Sequence, residues 1–128
     1  MADTDFCTIL NKSKGKLPRL PFDSIREKIL GPKYELSVTF LSPSAQKKLN
    51  KKYRCKNKST NILSFPLSKR NGEITFDLSL VKKESKNFDM TYSQFLKYLF
   101  IHGCLHLKGY EHSSTMEKEE KKYLKIFK

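Results

Sequence analysis

All three histidines of the chain fall within eleven residues, as His102, His106 and His112. On a helix, a spacing of four puts His102 and His106 on one face, one turn apart, so both rings can converge on one ion. Gly109 lets the chain reverse just after such a helix, and His112 can then swing back as a third ligand. Neutral imidazole is the commonest metal ligand, and three ring nitrogens at about 2.0–2.1 Å suit zinc. Three protein ligands leave a fourth position for water, which is the catalytic rather than the structural arrangement. An ion held this way either activates water or offsets charge on a phosphoryl oxygen.

The spacing overlaps the extended zinc-protease pattern H-E-x-x-H-x-x-G-x-x-H. Here the second position is Gly103, so the glutamate that serves those proteases as general base is missing. Metal geometry is shared and peptidase chemistry is disfavoured. A second segment points to a different substrate. Residues 47–58 read KKLNKKYRCKNK, with seven basic residues and no acid. Arg54 is the only arginine there. Its planar fork can hold a phosphate bidentately, so it is the candidate phosphate or transition-state ligand. Lys51, Lys52, Lys56 and Lys58 read with Arg54 as a phosphate-binding stripe. The whole chain agrees in sign: 26 Lys+Arg oppose 13 Asp+Glu, a net charge of +13, which favours a polyanionic partner.

The elements that position these groups can be read from spacing. Residues 6–10 suggest a short strand. Ser24 and Glu27 have capping-box spacing, which predicts a helix over 23–30 with Ile25, Ile29 and Leu30 on one face, stopped by Gly31-Pro32. Residues 34–41 alternate Leu36, Val38 and Phe40 with polar neighbours, as a half-buried strand does. Ser42 caps the next helix, Pro43 opens it, and it runs to about Tyr53. Residues 60–65 read as a strand ended by Pro66, and 72–78 as another with Ile74, Phe76 and Leu78 on one face. A short helix is expected near 79–86. Thr91 and Gln94 form a capping-box pair that opens a long, largely buried helix to about Leu107, with Gly109 as its stop. A last helix starts at Ser114. Strands interleaved with helices predict one α/β (α+β) domain, a small mixed four-stranded sheet covered by about five helices.

A chain of 128 residues is the size of one domain and can bury a real core. Its longest apolar runs are far short of the roughly 20 residues a spanning helix needs, so no membrane partner is expected. The N-terminus lacks a basic-then-apolar leader pattern, which predicts a cytoplasmic protein. Cys7, Cys55 and Cys104 are odd in number and match no metal framework, so free buried thiols are expected.

Four segments in order carry a resemblance: Tyr53-Arg54, then TNILSFP at 60–66, then GEI at 72–74, then HGCLHLKGYEH at 102–112. Together they resemble the YbeY family of bacterial metallo-endoribonucleases, whose hallmark H-G-x-L-H-L-x-G-Y-[DE]-H is matched at every fixed position. The resemblance covers about 34–128. It implies one zinc ion per chain held by His102, His106 and His112, and a functional Arg54 in an RNA cleft. It also implies single-strand-specific cleavage in ribosomal RNA maturation, chiefly 16S 3′-end processing, with the ribosomal small subunit as partner and a part in ribosome quality control. The chain departs from the pattern at Asn61 and Glu73, where the family usually has Asp. Two other readings compete: a non-catalytic ribosome-associated RNA-binding factor with a structural metal, and another tri-histidine metallohydrolase.

Overall fold

The computed structural model describes residues 6–128. Residues 1–5, where the reading of a leaderless N-terminus begins, lie outside the described residues. The chain order is β1 (Cys7–Asn11), α1 (Phe22–Leu30), β2 (Glu35–Leu41), α2 (Pro43–Arg54), β3 (Ile62–Ser68), β4 (Asn71–Asp77), α3 (Leu78–Ser85), α4 (Tyr92–Lys108) and α5 (Ser114–Ile126). The four strands form one sheet in the order β1-β2-β4-β3. β1, β2 and β4 are parallel, and β3 runs antiparallel to β4 at one edge. The expected mixed sheet and five helices are therefore present. Among the described residues no helix is long and apolar enough to cross a membrane.

Strand alternation divides the sheet into two faces. Leu36, Val38, Phe40, Ile74 and Phe76 are buried on the face that carries α4. Leu63 and Thr75 are buried on the other, where Gln46 of α2 donates to the Thr75 carbonyl at 3.2 Å. α4 is the central helix of the core. Phe95, Leu96, Leu99, Phe100, Ile101, Cys104 and Leu105 are all buried along it. Phe100 meets Phe22 of α1 edge-on at 4.8 Å, a favourable quadrupolar arrangement.

Several ends behave as their residues dictate. The Ser42 hydroxyl accepts from the Ala45 N–H at 3.3 Å, with Pro43 next in line. Thr91 and Gln94 form the complete reciprocal box at the start of α4.

Three expectations need correction. Ser24 caps nothing: α1 begins at Phe22, with Pro21 at its N-cap and no side-chain cap bond. Phe22 is buried, and seating it in the core draws the helix start past Ser24. Pro66 does not end β3, which continues to Ser68. The Asp77 N–H donates to the Asn61 carbonyl at 3.1 Å, which fixes the ladder parity. Residues 62, 64 and 66 then point their backbone groups away from β4 toward the free edge. A proline there removes no ladder bond. Finally, Cys7 and Cys104 are buried as expected but Cys55 is exposed. It ends α2 in the left-handed conformation at φ 56°, outside the core.

Candidate functional site

α4 carries His102 and His106 on its last two turns. It ends in a Schellman motif: the Gly109 N–H donates to the His106 carbonyl and the Tyr110 N–H to the Leu105 carbonyl, both at 3.0 Å. Gly109 sits at φ 114°, a conformation that disfavours any side chain. The reversal brings His112 back against the helix. One ligand atom from each of His102, His106 and His112 lies within 4.8 Å of the others.

The ring orientations are held from outside the cluster. His106 donates its Nδ1–H to the Tyr110 carbonyl at 3.1 Å, so its Nε2 carries the lone pair. His102 directs Nδ1 at the carboxylate of Glu120 on α5. A carboxylate accepts, so in the neutral ring the His102 lone pair is also on Nε2. The two Nε2 atoms face one another at 3.1 Å. With both rings neutral, two lone pairs at that distance repel unless a cation sits beside both. Tetrahedral zinc with Zn–N of about 2.0–2.1 Å would separate two ligand nitrogens by about 3.3 Å. The donor set and its geometry therefore fit a metal ion. Burial, and then the neighbouring His102 and His112, lower the pKa of His106, which keeps it neutral and able to ligate.

Glu120 was not among the residues the sequence singled out. It is only 6% exposed, and it lies between Met116 and Tyr123 on the buried stripe of α5. An acid in an apolar stripe is the signal that could have found it. Carboxylates behind histidine ligands typically contribute 10- to 100-fold in metal affinity. Glu120→Gln is therefore expected to weaken zinc binding by about 10- to 100-fold. Titration against a competing chelator measures this, and an unchanged affinity would remove Glu120 from the site.

The histidines line a cleft of about 660 Å³ with Tyr53, Arg54, Leu107 and residues 62–66. The cleft wraps the free edge of β3. The histidines reach it from the α4 side, and Tyr53 and Arg54 from the C-terminal end of α2 on the other side. Arg54 thus lines the same cleft as the three histidines. Lys51, Lys52, Lys56 and Lys58 do not line the cleft; they are exposed around its rim, in the last turn of α2 and the loop after it. Among the described residues no carboxylate lines the cleft.

Gly103 explains why the protease glutamate is missing. A Cβ at this position would lie 2.9 Å from Ile62 Cδ1 and 3.0 Å from Ser64 Oγ. Helix α4 therefore packs so closely on β3 at residue 103 that a glutamate there would have to displace Ile62 or Ser64.

Comparison with known proteins gives the family. Residues 14–128 match the family described as Endoribonuclease YbeY. The chain belongs to the YbeY family. The match reaches further toward the N-terminus than the segments that first suggested it. A relative named Endoribonuclease YbeY from Polynucleobacter asymbioticus is 38% identical over 95 residues, 71% of this chain and 60% of that protein. One of the same name from Bdellovibrio bacteriovorus is 33% identical over 121 residues, 84% of this chain and 81% of that protein. A solution structure of TM1509 from Thermotoga maritima superposes with a TM-score of 0.65 at 28% identity, covering 93% of this chain and 87% of that one.

The departure at Asn61 has a local partner. Its Nδ2 donates to Glu84 Oε1 at 2.9 Å. An aspartate at position 61 would set two carboxylates against each other here, so Asn61 and Glu84 suit one another.

Proposed function

We propose that this protein is a zinc-dependent endoribonuclease that cleaves single-stranded RNA in ribosomal RNA maturation, at the 16S 3′ end, and in ribosome quality control. One observation carries the reading: Arg54 and the three histidines share one cleft along the edge of β3. His102, His106 and His112 would hold one zinc ion per chain. Bound there, the ion would supply Lewis-acid activation of water and of a phosphoryl oxygen. Arg54 would grip the scissile or adjacent phosphate with its fork, opposing the charge that grows as the P–O bond breaks. The lysines at 51, 52, 56 and 58 would guide the strand toward the cleft. The partners would be ribosomal RNA and the small subunit, in the cytoplasm.

The test is cleavage of an end-labelled 16S 3′-terminal precursor RNA by the protein as purified, stripped by chelation, and reloaded with zinc. Cutting that is lost on stripping and restored on reloading is expected. Undiminished cutting after stripping would sink the metal-dependent reading. Failure of the loaded protein on naked RNA and on the assembled small subunit alike, with tight binding to the subunit, would make it a ribosome-binding factor. The cut ends identify the attacking group, since 2′-OH attack leaves a 2′,3′-cyclic phosphate.

A further inference from the structure

Tyr53 is an aromatic side chain left 57% exposed at the mouth of the cleft. It is fixed in place: its ring packs edge-on against Phe65 of β3, with centroids 5.2 Å apart and planes at 64°. Phe65 lines the same cleft. The sequence neighbours of Tyr53 are Lys52 and Arg54, and the Lys52 ammonium lies over its ring at 5.3 Å. An aromatic ring face held open beside a cleft can receive a flat ring stacked on it. The charge around it selects the occupant: the surrounding segment 47–58 has seven cations and no acid. An anionic chain that also carries flat rings satisfies both demands.

We propose that Tyr53, braced by Phe65, is a stacking platform for an unpaired base of the RNA strand held by Arg54. This rests on the endoribonuclease reading and adds to it the feature that selects single strands. A base in a duplex has its faces covered by its neighbours, whereas an unstacked one can lie on an aromatic ring. The incoming base replaces the Lys52 ammonium over the ring, and that ammonium is then free to meet a phosphate. Arg54 and the lysines supply affinity for the backbone of any strand. Tyr53 adds a contribution that only an exposed base can make.

The experiment measures binding of a fluorescein-labelled single-stranded 2′-O-methyl RNA, and of a matching strand with its bases removed, by anisotropy across a salt series. Tyr53→Ala is expected to raise Kd about tenfold on the base-bearing strand, the scale of one lost stacking contact. It should do nothing on the abasic strand. The salt slope should not change, because no cation is removed. Tyr53→Phe should bind within about twofold of wild type, since the ring face remains. The chain has no tryptophan, so Tyr53→Trp installs a single reporter whose emission a stacked base should quench. A Tyr53→Ala protein that binds the base-bearing strand as wild type does, or that loses equally on the abasic strand, overturns the platform and leaves the endoribonuclease reading intact. A wild-type protein that binds neither strand also overturns the platform, and the endoribonuclease reading is then decided separately by cleavage of the assembled small subunit.

Discussion

His106→Ala is expected to leave the chain folded but without metal, and RNA cleavage should fall to background. His106 is the middle histidine of the three, with its Nε2 set against that of His102 at 3.1 Å. Its ring is half-buried at the end of α4, outside the packed stripe from Phe95 to Leu105. Truncation removes one nitrogen and little core contact. Zinc-finger peptides gain about 10–16 kcal/mol from four ligands, so one imidazole accounts for about 3–4 kcal/mol, or a factor of about 10²–10³ in affinity. The readout is metal content per chain, measured beside far-UV circular dichroism and cleavage. Loss of helical signal with loss of metal would mean the ion holds the fold together. A variant that keeps its zinc and its activity would remove His106 from the ligand set.

The histidines were legible because their geometry is local. Four residues on one helix, then a glycine and a short return, involve no partner from elsewhere in the chain. The reciprocal box at Thr91–Gln94 and the Ser42-Pro43 start were legible for the same reason: cap and capped groups lie within three residues. What failed depended on a partner distant in sequence. Whether Pro66 breaks β3 turns on which of its backbone groups face β4, and only the pairing of Asn61 with Asp77 settles that. Ser24 had the right spacing, but the burial of Phe22 outweighs one capping bond. Glu120 looked like one more acid on a charged helix until α5 packed it against His102 of α4. The placing of Arg54 and the histidines in one cleft has the same character. It follows from α2 and α4 flanking one edge strand on opposite faces, a fact of topology that spacing along the chain does not contain.

That topology sets the sharpest contrast with His106. Arg54→Ala is expected to keep zinc at the wild-type level and to lower kcat about 10²–10³-fold, the usual loss when one donor to a developing oxyanion is removed. The side chain is exposed, at the last residue of α2, so stability should change by no more than about 0.5 kcal/mol. Arg54→Lys separates two contributions. It retains the charge and loses the planar fork, so it should keep most of the affinity for RNA at low salt while recovering only part of kcat. Were Arg54 one guiding cation among many, Arg54→Ala would act on KM alone. It would then lower the salt slope by about one unit, as loss of a rim lysine such as Lys56 should. Initial rates across a salt series, with metal content measured on the same samples, distinguish the two. A kcat effect at constant zinc puts Arg54 on the reacting phosphate. An effect confined to KM moves it out to the rim with the lysines and leaves the histidine cluster alone to do the chemistry.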